Sequence, residues 1–121
     1  MENKELITNN IAFLKDYLPK LINAIEEVVE YLITNNETDA FNLITDIIEG
    51  MEWTMRSIHS LQNLNYIEDI TPNEVNKILE EITQAFQKKD LVLLSDLFQY
   101  ELIEILLAWN EKLDMINGEI N

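Results

Sequence analysis

The chain has 121 residues, of which 23 are Asp or Glu and eight are Lys or Arg, so its formal net charge at pH 7 is −15. A hydrophobic fraction of 47% is too high for a disordered acidic chain, and the lack of cysteine excludes disulfides and thiolate-bound metals. We expect one soluble, cytoplasmic domain over residues 1–121 that neither enters a membrane nor binds nucleic acid. Its charge should attract basic partners or cations.

The spacing of the apolar residues predicts an all-α protein, because it is helical throughout and the chain has only two glycines and two prolines. In the first segment the apolar residues step by four and three along one helix face. Pro19 lies within this run without breaking its phase, so we expect one long helix with a kink at Pro19. The predicted stripe consists of Ile7, Ile11, Leu14, Leu18, Leu21, Ile25, Val28 and Leu32.

A second helix is predicted from about Thr38 to about Leu64, after a polar turn at residues 34–37. This turn is short enough to make the first two helices antiparallel neighbours. Gly50 lies in the middle of the second helix, where it marks either a kink or the close approach of another helix. The predicted apolar stripe consists of Phe41, Ile44, Ile48, Met51, Met55 and Ile58.

Two further helices are predicted in the second half of the chain. The sequence Thr71-Pro72-Asn73-Glu74 places an N-cap and a first-turn proline at the start of the third helix, which ends at Lys88-Lys89. Asp90 caps a fourth helix from Leu91 to about Ile116. Four helices with short connections predict an antiparallel up-down four-helix bundle. The stripes are Val75, Ile78, Leu79, Ile82 and Phe86 in the third helix and Leu94, Phe98, Leu102, Ile105, Trp109 and Leu113 in the fourth.

The fourth helix also carries apolar residues on the side opposite to its stripe. A helix that is apolar nearly all round is usually buried on two sides. Either the preceding loop covers this side through Tyr66 and Ile67, or a second molecule does, and we expect a homodimer through this surface. The residues concerned are Leu93, Tyr100, Ile103 and Leu107.

A group of polar residues lies at the edges of the predicted stripes. Glu52, Arg56 and His59 are spaced i, i+4, i+7 on the second helix, and they include the only arginine and the only histidine of the chain. Glu101 interrupts the edge of the stripe on the fourth helix. We expect these four residues to form a buried polar cluster with a structural role, in which Glu52 and Arg56 form an ordinary helix ion pair.

The first two helices also carry closely spaced carboxylates, in Glu26-Glu27-Val28-Val29-Glu30 and Glu49-Gly50-Met51-Glu52. This pattern resembles the EExxE and ExxD motifs of the all-α nucleotide pyrophosphohydrolases of the MazG type. The resemblance implies hydrolysis of a nucleoside triphosphate to its monophosphate, with Mg²⁺ held by glutamates. A solvated acidic face is the alternative explanation. The ligands that the resemblance implies are Glu26, Glu27, Glu30, Glu49 and Glu52.

The segment from Lys89 to Leu102, continuing to Trp109, resembles the C-terminal helix of small acidic helical proteins of unknown function from Gram-positive bacteria. This resemblance implies a bacterial, cytoplasmic protein and assigns no chemistry. The sequence therefore predicts a small acidic, non-enzymatic interaction module without a cofactor, an adaptor or chaperone that self-associates through its last helix. The alternatives are the Mg-dependent pyrophosphohydrolase and an anionic decoy for a nucleic-acid-binding protein.

Overall fold

The computed structural model describes residues 2–63 and 72–115, and this part of the chain is all-helical, without a strand. The elements are α1 (Glu2–Ile33), α2 (Glu37–Asn63), α3 (Pro72–Gln87), α4 (Leu91–Asp96), a π-helical segment (Leu97–Leu102) and α5 (Ile103–Asp114). The last three elements form one continuous helix, because Asp96, Leu102 and Ile103 at their junctions keep right-handed helical dihedral angles. We call α4, the π-helical segment and α5 together the fourth helix.

The first helix is a single element that continues through Pro19, as the sequence predicted. Pro19 itself is exposed, so the ring lies on the solvent side of the helix. All eight residues of the predicted stripe are buried, which confirms the stripe from Ile7 to Leu32. Two neighbours of the stripe, Ile22 and Val29, are buried as well and widen the apolar face.

The turn between α1 and α2 is closed by the backbone of two asparagines, Asn35 and Asn36. Asn35 has a positive φ of 61°, in the left-handed region that asparagine tolerates better than most residues. The amide of Asn36 donates to the carbonyl of Tyr31 at 2.8 Å, and the amide of Asn35 donates to the carbonyl of Leu32 at 3.4 Å. These two bonds form a Schellman motif, which satisfies carbonyl groups that the end of α1 leaves free.

The buried face of α2 is rotated relative to the predicted stripe. Ile44, Met51 and Ile58 are buried as predicted, but the other three members of the stripe are only half-buried. The line that packs into the core includes one polar residue, Thr54, which is fully buried. Its hydroxyl donates to the carbonyl of Gly50 at 2.8 Å, so the buried polar group has a hydrogen-bond partner. The observed line consists of Ala40, Ile44, Ile47, Met51, Thr54, Ile58 and Leu61.

The half-buried residues of α2 lie along its seam with α3. The rings of Phe41 and Phe86 are in contact, with centroids 5.0 Å apart, and Ile48 and Met55 line a groove between the two helices. The predicted start of α3 at Pro72 is confirmed, while the predicted cap, Thr71, lies outside the described residues. The predicted stripe of α3 is buried or half-buried throughout.

The connection between α3 and the fourth helix repeats the closure seen after α1. Lys89 has a φ of 54°, and the amide of Asp90 donates to the carbonyl of Ala85 at 2.9 Å. The carboxylate of Asp90 then accepts a hydrogen bond from the amide of Leu93 at 3.2 Å. This bond confirms Asp90 as the N-cap of the fourth helix.

The π-helical segment changes which residues of the fourth helix are buried. Leu106 is fully buried, whereas Ile105, which the sequence places in the core, is only half-buried. A π-helical turn holds about one residue more than an α-helical turn. Each residue after the segment therefore has an angular position around the helix axis that, in a uniform α-helix, would belong to the residue before it. The observed core line is Leu94, Leu97, Phe98, Leu102, Leu106, Trp109 and Leu113.

The helices share one apolar core. α1 contacts α2 and all three parts of the fourth helix, while α3 contacts α2, α4 and the π-helical segment. The buried apolar residues of all four helices belong to a single cluster. Among the helices of residues 2–63 and 72–115, none combines the length and the apolarity of a membrane-spanning segment.

The π-helical segment behaves as a one-residue insertion in the fourth helix. Deletion of Gln99, which is exposed within the segment, then yields a regular α-helix that keeps Leu106 and Trp109 in the core. We expect the free energy of unfolding to change by less than about 1 kcal/mol. Deletion of Ala108, which is exposed within α5, turns Trp109 out of the core and is expected to cost about 3 kcal/mol or more. Urea denaturation measures both, and equal losses would contradict the assignment.

Candidate functional site

The fourth helix exposes large apolar side chains on the side away from the core. Tyr100 is 65% exposed, Leu107 is 47% exposed and Val92 is 75% exposed. Leu93 is 42% exposed as well. We call Val92, Leu93, Tyr100 and Leu107 the outer face of the fourth helix.

Three of the four residues predicted for a contact surface therefore lie on the outer face. The fourth, Ile103, is half-buried and packs against the core. The π-helical segment accounts for this difference, because Ile103 directly follows the segment and the helix has rotated less there than a uniform α-helix would. Tyr66 and Ile67, which the sequence offers as an alternative cover, lie outside the described residues.

Acidic side chains surround the outer face. Asp96, Glu101, Glu104 and Glu111 are all exposed on the same helix. Between residues 91 and 115 the chain has five acidic residues and a single basic one, Lys112. The exposed apolar side chains therefore lie among carboxylates. Their negative charge favours contact with a positively charged molecule over a negatively charged one.

The predicted burial of the polar cluster is wrong. Glu52, Arg56, His59 and Glu101 are all exposed. The reason lies in the rotation of α2: because the core line runs through Thr54, the residues at 52, 56 and 59 turn outward.

The exposed polar residues also lie in different places. Glu52 and Arg56 line a groove of about 710 Å³ between α2 and α3, together with Ile48, Met55 and Leu79. His59 lines a neighbouring depression towards the end of α2, and Arg56 lines this depression as well. Glu101 lines a separate groove on the other side of α3. The four residues therefore do not form one site.

The five glutamates of the pyrophosphohydrolase pattern are not gathered into a metal site. Glu26, Glu27, Glu30, Glu49 and Glu52 are all exposed. Within residues 2–63 and 72–115, no group of three or more His, Asp or Glu side chains lies close enough together to hold a metal ion. The resemblance to the pyrophosphohydrolase motifs is therefore one of sequence, and the described part of the chain does not gather these glutamates into a group that could hold a metal ion.

One of these glutamates has a local partner. The hydroxyl of Tyr31 donates to the carboxylate of Glu27 at 2.8 Å. This hydrogen bond, together with the negative charge of Glu27, raises the pKa of Tyr31 above its ordinary value. Glu27 and Tyr31 are spaced i, i+4 on α1, so the pair belongs to the surface of a single helix.

A second apolar surface, which the sequence analysis missed, lies on the seam between α1 and α2. The rings of Phe13 and Trp53 have centroids 4.3 Å apart, and Tyr17 lies 5.6 Å from Phe13 and 5.7 Å from Trp53. Phe13 is 48% exposed, and Tyr17 and Trp53 are half-buried. One sequence feature could have indicated this surface: Phe13 and Tyr17 are spaced i, i+4 beside the apolar stripe of α1, so their rings are neighbours on the helix.

Gly50 makes room for this aromatic group. A Cβ atom at position 50 would collide with the hydroxyl of Tyr17 and lie 3.3 Å from a methyl group of Leu21. Of the two sequence-based explanations for this glycine, the close approach of another helix is therefore confirmed. The contact brings the side chain of Tyr17 over the backbone of α2.

The collision at Gly50 gives a testable coupling. Gly50→Ala gains up to about 1 kcal/mol of helix propensity, but it displaces the hydroxyl of Tyr17. In a Tyr17→Phe background this hydroxyl is gone, so we expect the same substitution to be more stabilising by about 0.5 kcal/mol or more. Thermal and urea unfolding of the four proteins in this double-mutant cycle measure the difference. An identical gain in both backgrounds would contradict the contact.

Comparison with known proteins places the chain in an uncharacterised group. A family model described as Domain of unknown function (DUF8042) matches residues 9–112. The match reaches from α1 into α5 and includes Phe13, Trp53, Tyr100 and Leu107. No curated protein and no solved structure matches the chain.

Proposed function

Since this chain belongs to the family described as Domain of unknown function (DUF8042), we propose its function from its own surface. It is a small acidic, non-enzymatic interaction module that binds a partner protein through the outer face of its fourth helix. The observation that carries this proposal is the exposure of Val92, Tyr100 and Leu107 on one helix. Exposed apolar side chains grouped in this way are typical of protein-binding surfaces.

The charge around the outer face selects the kind of partner. Asp96, Glu101 and Glu104 accompany the apolar anchors, and the whole chain carries a net charge of −15. A basic amphipathic segment satisfies both features, because its apolar side meets Tyr100 and Leu107 while its cations meet the carboxylates. A second copy of this chain would place acids against acids on this face.

The sequence also predicts three other functions, which are self-association, an anionic decoy and a pyrophosphohydrolase. Self-association through the last helix stays a prediction, and the experiment below separates it from binding of a basic partner. The anionic decoy stays a prediction as well, and would share the preference for basic proteins. The pyrophosphohydrolase has no support from the described residues, because their carboxylates form no metal-holding group. We place the module in a Gram-positive cytoplasm, following the resemblance of its fourth helix.

The scaffold that we propose for this surface is an antiparallel up-down four-helix bundle with a bend at Pro19. The short turn after α1 supports this arrangement, as do the contacts of Phe13 with Trp53 and of Tyr17 with the backbone at Gly50. In these two pairs the residue number falls along α2 as it rises along α1. The contacts of α1 with α2 and the fourth helix, and of α3 with the same two helices, complete the ring of four.

Spin labels test the antiparallel order, because the chain has no cysteine and introduced ones are unique. Asn9, Ser60 and Asn42 are exposed. We expect labels at Asn9→Cys and Ser60→Cys to be close neighbours. Labels at Asn9→Cys and Asn42→Cys should lie about 24 Å apart along the axis, from about 16 residues of offset. Pulsed electron resonance measures both distances, and the reverse order of distances would contradict the bundle.

Photo-crosslinking tests the binding surface directly. A benzoylphenylalanine replacing Tyr100 is expected to form an adduct with a basic protein in a cell lysate, in which the salt concentration can be varied. The same group replacing Asn23, which is exposed on α1, is the matched control and should form none. We expect Leu107→Glu to reduce the adduct at position 100 at least about fivefold, and higher salt to weaken it, because the contact includes opposite charges.

Three other crosslinking results would contradict the proposal. An adduct of twice the mass of the chain that strengthens with salt would favour self-association through the last helix and contradict the basic partner. An adduct at Asn23 equal to that at Tyr100 would contradict a specific surface. The absence of any adduct at Tyr100 would contradict binding through this face.

A further inference from the structure

The seam between α1 and α2 presents a second apolar surface, distinct from the outer face of the fourth helix. Leu6 is 59% exposed and lies seven residues before Phe13, so the two side chains share one side of α1. Trp53 packs against Phe13 from α2, and Tyr17 closes the group over Gly50. We call Leu6, Phe13, Tyr17 and Trp53 the aromatic seam.

The aromatic seam lies where the charges of the chain nearly balance. From Leu6 to Lys20 one acidic residue stands beside two lysines, and from Glu49 to Asn63 two acidic residues stand beside one arginine. The remaining exposed neighbours include the amide Asn9 and the hydroxyl Ser60. In a chain with 23 acidic residues, this end of α1 and α2 is therefore exceptional.

We propose that the aromatic seam is a self-association surface, and that its occupant is the aromatic seam of a second copy of this chain. Two copies with a net charge of −15 each repel one another wherever their acidic faces meet. Around the seam the carboxylates Asp16, Glu49 and Glu52 are offset by Lys15, Lys20 and Arg56. The outer face of the fourth helix, with its four acidic neighbours, lacks this property.

The geometry of the seam suits a two-fold contact. In a symmetric dimer the same patch is used on both subunits, so an uncharged patch is automatically compatible with itself. Aromatic side chains that are already packed in a rigid group lose little freedom on binding, and they are the residues that contribute most at interfaces. The contacts of Phe13 with Trp53 and of Tyr17 with both provide such a group.

A pair of matched variants tests the proposal in solution. Phe13 and Leu107 are equally exposed, at 48% and 47%, and they lie on the two different surfaces. We expect sedimentation of the full chain to show a monomer–dimer equilibrium that shifts towards dimer as salt screens the repulsion. Phe13→Glu should raise the dimer dissociation constant at least about tenfold, and Leu107→Glu should change it less than about twofold. Circular dichroism establishes that both variants are folded.

A second measurement follows the seam in the unsubstituted chain. The chain has two tryptophans, Trp53 in the seam and Trp109, which is 3% exposed in the core. In protein labelled with fluorotryptophan, we expect the fluorine resonance of Trp53 to shift with protein concentration and that of Trp109 to stay fixed. Trp53→Phe assigns the two resonances.

Three outcomes would overturn the proposal. They are a monomer at every concentration up to about the millimolar range, a dimer weakened by Leu107→Glu but not by Phe13→Glu, and a concentration-independent resonance of Trp53 in a dimer. The failure of this proposal is separable from that of the proposed function, because Phe13→Glu leaves the outer face of the fourth helix and its crosslink at Tyr100 intact.

Discussion

The unbroken apolar stripe of α1 is the surface on which the rest of the structure depends. Its eight residues from Ile7 to Leu32 are buried against α2 on one side and the fourth helix on the other. Burial of each such side chain contributes about 1.5–3 kcal/mol, so together they outweigh the cost of about 3 kcal/mol for Pro19 within the helix. Pro19 is tolerated because it lies on the exposed side, where its ring displaces no core residue.

The π-helical segment links this core to the surface of the fourth helix. Phe98 and Leu102 within the segment are fully buried, while Tyr100 between them is exposed. The additional residue in this turn lets Leu106 and Trp109 return to the core after it. The same rotation draws Ile103 inward and leaves Leu107 exposed. A regular helix with the same sequence would expose a different set of apolar residues.

The charge of the chain gives its two apolar surfaces different properties. The outer face of the fourth helix lies among carboxylates, which disfavour a second acidic copy and favour a basic protein. The acidic residues beside the aromatic seam are matched by an equal number of lysine and arginine residues, so the repulsion between copies is smaller there than at the outer face. The distribution of charge in a chain with a net charge of −15 therefore distinguishes the two surfaces that we propose for binding.

The sequence by itself determined the helical class, the stripe of α1, the starts of α2 and α3 and the cap at Asp90, because these features depend on local periodicity and on contacts within a few residues. Only the tertiary structure decided that Thr54 is in the core, that Leu106 replaces Ile105 and that Glu52, Arg56 and His59 are exposed. The period of a helix fixes which residues share a face, but the neighbouring helices determine which face is buried. The aromatic seam belongs to this second class, because Phe13 and Trp53 are 40 residues apart in the sequence and meet only when α1 and α2 pack together.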